Sequence, residues 1–170
     1  MSDSNLLLPA AYRYVMAQAS VQALITDGTI GKDTVGGAYA SGWVFSGSND
    51  GIPPRNVEGS EQCAILFMSY SHWSSAVRHH SGQFPILTVS IFADPDRDDN
   101  DSPIAKNAES KAKRVWDVID PLFHDPRNVV HWFDTLPVIS TVQGSPLSIL
   151  DIPDGDGAVR GTARYNLHLY

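Results

Sequence analysis

The segment FPILTVSIFADPDRDDNDSPI, residues Phe84–Ile104, passes from an apolar run through a burst of aspartates to a Ser-Pro pair. Phe84 to Ala93 has the β-branched and aromatic content of a strand. Five of the eight residues from Asp94 to Asp101 are Asp, and Arg97 alone opposes them. Ser102 is placed to cap a helix and Pro103 to occupy its first turn. Beyond that pair, Ile104, Ala108, Ala112, Val115, Trp116 and Ile119 form one apolar stripe, and Lys106, Glu109, Lys113 and Asp117 hold the opposite face. Pro121 ends or kinks this helix. The segment therefore reads as a strand, a wet acidic turn and a capped amphipathic helix.

The flanking chain extends the same alternation of elements. Apolar residues at Leu8, Tyr12, Val15, Met16, Ala19, Ala23 and Leu24 predict one helix over Pro9–Ile25, closed by Asp27-Gly28. Gly28 to Gly42 is rich in Gly and Thr and shows no clear period, and Gly42 to Phe45 reads as a short strand. Ser46 to Gln62 has the turn punctuation of a long loop, Asn49-Asp50-Gly51 and Pro53-Pro54. Cys63 to Tyr70 is apolar nearly throughout, as expected of a strand buried on both faces or at an interface. In the last third, Val138–Gln143 and Leu147–Ile152 read as two strands, followed by a turn at Pro153–Gly157. Val159 to Tyr170 alternates strictly, with Val159, Gly161, Ala163, Tyr165, Leu167 and Leu169 on one face and Arg160, Thr162, Arg164, Asn166, His168 and Tyr170 on the other. That is a half-buried antiparallel strand. The order of elements predicts an α+β fold: a mainly antiparallel β-sheet with two principal helices packed on one side.

The 170 residues, 18.5 kDa, suit a single domain over 1–170 with a long loop at 46–62. A net charge of −7 disfavours a protein that grips nucleic acid by neutralising phosphates. The lone cysteine, Cys63, permits no intrachain disulfide and no Cys-rich zinc site. The N-terminus has no basic n-region, and Leu6-Leu7-Leu8-Pro9 is too short for a signal or membrane segment, so a soluble chain made in a cytoplasm is expected.

Chemical motifs are sparse. A calcium loop of the EF-hand type needs Gly at position 6 and Glu at position 12. Starting at Asp94, those places hold Asp99 and Ala105; starting at Asp96, they hold Asp101 and Asn107. A carboxylate acid/base pair needs a dry pocket that a five-aspartate turn does not suggest. The histidines His72, His79, His80, His124, His131 and His168 lack metal-ligand spacing, and there is no G-x-S-x-G elbow, P-loop or G-x-G-x-x-G after a strand. We therefore expect no enzyme activity, no catalytic, cofactor-binding or metal-binding residue, and no cofactor. The alternative is a metal-dependent small hydrolase using the Asp94–Asp101 cluster.

The strand FPILTVSIFADPDRD, the helix AKNAESKAKRVWDVIDPLFH and the late hairpin DIPDGDGAVRGTARYNLHL together resemble the tail terminator proteins of long-tailed bacteriophages, especially those of actinobacterial hosts. The resemblance is one of spacing and element order. It implies a structural virion protein at the head-proximal end of the tail. Six copies would form a ring that caps the tail tube, ends its polymerisation and offers a head–tail joining surface. The implied partners are further copies of the chain, the tail tube protein and a head-completion (stopper) protein. Genomic DNA would pass through the ring without specific binding, and no membrane is involved. Another head–tail connector component, a stopper or tail completion protein, is the alternative within the class. Closed cyclic assembly needs two different patches per subunit. Candidates for the subunit interface are Phe67, Tyr70, Arg160, Arg164, His168 and Tyr170. The acidic residues Asp94, Asp96, Asp98, Asp99 and Asp101 are candidates for a lumen-lining or partner-facing loop.

Overall fold

Residues 7–31, 44–48, 64–71, 86–124, 138–153 and 156–169 are described by the computed structural model of the chain. Three helices and five strands follow in the order α1 (Leu7–Met16), α2 (Ala19–Thr26), β1 (Val44–Ser48), β2 (Ala64–Ser71), β3 (Ile86–Ala93), α3 (Asn107–Phe123), β4 (Val138–Asp151) and β5 (Val159–Leu169). The strands form one sheet in the order β1-β2-β3-β5-β4. Every neighbouring pair is antiparallel except β1 and β2, which run parallel. The fold is α+β, with a mainly antiparallel sheet.

Alternation on β5 decides which face the helices cover. Val159, Ala163, Tyr165 and Leu167 are buried, and so are their cross-strand partners on β3, Ala93, Val89 and Leu87. α3 lies across this face with its stripe of Ala108, Ala112, Val115, Ile119 and Phe123 turned inward. The Phe123 ring stands 5.6 Å from that of Tyr165 and 6.3 Å from that of Tyr14 on α1, so both helices belong to one layer. α1 covers the β1–β2 end.

Several local readings are corrected by the structure. The first helix is broken at Ala17-Gln18, where Gln18 adopts an extended backbone. Two glutamine side chains make the break tolerable, because Gln18 Nε2 donates to the Tyr14 carbonyl (2.9 Å) and Gln22 Nε2 to that of Met16 (2.8 Å). Carbonyls released from the helix ladder thus stay bonded. α2 ends as expected, with Gly28 at φ +83°, a left-handed conformation that a side chain would disfavour.

Ser102-Pro103 does not start the second major helix, which begins at Asn107. The Asp98 carboxylate takes the N–H of Ser102 (2.9 Å), and Pro103 bridges back to Arg97, so these residues complete a small hairpin instead. Lys106, in the left-handed region at φ 62°, then redirects the chain into α3. Pro121 neither ends nor visibly interrupts the helix, which continues to Phe123.

The two strands expected between Val138 and Ile152 are one strand, β4, with register shifts against β5 around Gln143–Ser148. Pro146 falls at such a shift on an edge strand, a position that tolerates a residue without an N–H. Of the strand expected over Gly42–Phe45, Val44 and Phe45 lie in β1, which continues through Ser46, Gly47 and Ser48 into the stretch read as loop; Gly42 and Trp43 lie outside the described residues. Parallel pairing of β1 with β2 requires the chain to travel back along the sheet between them. The intervening residues 49–63 lie outside the described residues.

Candidate functional site

The aspartate-rich segment is a built turn. Asp98 Oδ1 accepts the backbone N–H groups of Asn100 and Ser102, both at 2.9 Å, an Asx-type arrangement that folds the chain back. The Asp98 N–H donates to the Ser102 carbonyl and the Asp101 N–H to that of Asp98. Asp101 takes a left-handed backbone, φ 59°, which Asp tolerates better than most residues.

Two cations hold this turn to the rest of the domain. Lys111 on α3 donates to Asp96 Oδ1 (2.6 Å) and to the Asp94 carbonyl (3.1 Å). Arg97 bonds the Asp101 carbonyl (2.8 Å) and the Asp156 carboxylate (2.5 Å), which lies in the turn before β5. Asp156 beside it, and more weakly Asp101 and Asp94, push the Arg97 guanidinium pKa up. Gly157 rests against Pro95 and Pro103, where an added Cβ would come within 3.3 Å of both. The two turns thus form one acidic end of the domain. Asp98, Asp99, Asp101 and Asp156 are exposed there, together with Ile104 at 46%.

Beside this end opens a polar cleft of about 370 Å³ between Asp27–Thr29 and the first half of α3. Two ion pairs line it, Lys111–Asp96 and Arg114–Asp27. Hydrogen bonds from Thr29, and next the Arg114 charge, hold the Asp27 carboxyl below its ordinary range. Among the described residues, no three His, Cys, Asp or Glu side chains gather in a way that could hold a metal ion.

The face of the sheet opposite α1 and α3 has a different character. Arg160, Arg164 and Asn166 are exposed on β5. The Arg160 guanidinium lies over the Phe92 ring, 5.3 Å from its centroid, and donates to Ser90 Oγ at 3.4 Å. Leu150, opposite Arg160 on β4, is 68% exposed, and Ser148 opposite Thr162 is exposed as well.

The structure brings together the five aspartates, and it places Arg160 and Arg164 on a separate surface. Phe67 and Tyr70 lie on β2, opposite Ser90 and Leu87 of β3. Both backbone edges of β2 are occupied within the chain, and its Ala64 and Met68 are fully buried. His168 pairs with Ser140 near the end of β5; Tyr170 and Cys63 lie outside the described residues. The sequence reading missed Leu150, Lys111 and Arg114, and it counted Ile104 in the buried stripe of the helix, whereas Ile104 precedes α3 and is 46% exposed. Alternation through Leu147, Ile149 and Leu150 held a signal for Leu150, since the first two share a face and the third cannot. Lys111 and Arg114 gave no such signal, because their partners stand 15 and 87 residues away.

No family model matches the sequence, and no curated protein matches it. Among solved structures, a chain described as "Virion of native gene transfer agent (GTA) particle" superposes with a TM-score of 0.53 at 14% identity. The match covers 96% of this chain and 93% of that one, so the two share a fold over essentially their whole length. A second solved chain, 17% identical with 99% and 97% coverage, reaches a TM-score of 0.46. No described helix is long and apolar enough to cross a membrane.

Proposed function

We propose that this chain is a structural virion protein without catalytic activity, and specifically a tail terminator. In this reading six copies form a ring on the head-proximal end of the tail tube, stop its polymerisation and present the joining surface for a stopper protein. The observation that carries the virion role is the whole-length likeness to a chain of a gene transfer agent virion. The finer assignment draws its support from the Phe84–His124 segment and the late hairpin, which resemble tail terminators in order and spacing.

Physical chemistry is compatible with that role. The chain carries a net charge of −7. DNA passing through a ring of such subunits would be repelled by its walls and would slide. The reading makes the chain's partners its own copies, the tail tube protein and the stopper.

Electron microscopy of tails assembled without this protein tests the assignment. Tails of uncontrolled, abnormally long length are expected. Tails of normal length that fail to join heads would move the protein to another head–tail connector position, a stopper or completion protein. Normal tails that join heads would contradict both.

A further inference from the structure

Two surfaces of this chain complement one another. One is the sheet face opposite α1 and α3, where Arg160 and Arg164 flank Thr162 on β5 and Leu150 stands beside Arg160 on β4. The arginines are four residues apart on one face, about 13 Å along the strand. Neither β3 nor β5 places a carboxylate on this face: Thr88, Ser90 and Phe92 oppose Arg164, Thr162 and Arg160. The Phe92 ring holds the Arg160 guanidinium in place, so less side-chain freedom is lost when an anion docks. The other surface is the acidic end, with exposed Asp99 and Asp101 next to exposed Ile104. Ile104 and Leu150 are the large hydrophobic residues left exposed among the described residues. Each surface therefore combines one uncovered aliphatic side chain with a net charge, and the two net charges are opposite.

We infer that the Arg160–Arg164–Leu150 face of one copy receives the Asp99–Asp101–Ile104 end of the next. This rests on the ring reading and names its contact. Two different patches on one chain make a head-to-tail interface, the kind that closes into a ring when the rotation per subunit permits. Pairing of opposite charges selects the register, and burial of the two aliphatic side chains adds an apolar centre. Arg97, Lys106 and Lys111 remain at the acidic end as its own counter-charges, leaving it net negative.

The test uses the full-length chain in light scattering and native mass spectrometry, across protein concentration and salt. Wild type is expected to assemble, with its half-dissociation concentration rising about tenfold between low and high salt. R164E and L150S are each expected to raise that concentration about tenfold or more, while urea midpoints near wild type show that they fold. R164E combined with D99K in the same chain is expected to recover most of the loss, because the exchanged charges meet at every interface. A wild type that assembles while R164E and L150S assemble equally well overturns the inference and leaves the ring reading standing. An R164E defect that D99K does not repair overturns it too, as does a D99K chain that assembles normally but impedes DNA passage. A wild type that stays monomeric, alone and with tail tubes, overturns both.

Discussion

Tyr165 and Asp120 join the sheet to its covering helix: the phenol at the centre of β5 donates to Asp120 Oδ1 across 2.6 Å. Tyr165 is fully buried, and its ring packs against Phe123 one turn further along α3. A hydrogen bond to a carboxylate in this position fixes the rotation of α3 over the sheet, which in turn sets where the helix's first half meets the acidic turn.

Replacing Tyr165 by Phe keeps the ring and deletes this bond. Stability is expected to fall by about 1–2 kcal/mol, read from urea midpoints at constant m-value. Burial, and then the bond to Asp120, push the phenol pKa up in the folded state. The unfolded chain ionises its Tyr near pH 10, so this contribution is complete below that value and declines as pH rises above it. The Y165F protein should therefore lose less stability than wild type between about pH 9 and pH 11.

Gly161 makes room rather than a turn. A Cβ built there would lie 3.0 Å from Leu147 Cδ1 and 3.8 Å from Ile149 Cγ1. Alanine asks only the end of the Leu147 side chain to move. Valine at this position also crowds Ile149 and is expected to cost about 1–3 kcal/mol, measured by thermal or urea unfolding. An unchanged midpoint for G161V would mean that β4 does not press on β5 as described.

The strand β5 and the stripe of α3 were legible because burial imposes a strict period on them, whereas β3, buried at every residue from Val89 to Ala93, was legible from its β-branched and aromatic content. Arg160, Arg164 and Asn166 alternate with Val159, Ala163 and Tyr165 in the sequence as they do in space. Other features lay in partners distant along the chain. Ser102-Pro103 has every mark of a helix start, yet the Asp98 side chain claims the Ser102 N–H and moves the start to Asn107. The break between α1 and α2 depends on two glutamine amides whose composition is ordinary for a helix. The break expected between Val138–Gln143 and Leu147–Ile152 is absorbed by a bulged edge strand. Of the candidate surfaces, the acidic cluster was visible as composition, whereas its anchoring by Lys111 and Arg97 required the tertiary fold.

Lys111 ties the acidic turn to α3, with its side chain 14% exposed and Asp96 Oδ1 at 2.6 Å. Lys111→Met retains the aliphatic stem and removes both of its bonds to the turn. A loss of about 1–2 kcal/mol is expected, together with faster amide hydrogen exchange confined to the turn at 94–103. Exchange that accelerates equally across β3 and β5 would instead indicate global destabilisation and would remove the turn's status as a separate unit.

The central claim is that the chain works as a ring. Native mass spectrometry of the purified protein, alone and bound to tail tubes, tests it most directly. A species of about 110 kDa, six chains of 18.5 kDa, is expected in solution or on the tube end. A mass of 18.5 kDa at every concentration, with no association with tubes, would contradict it.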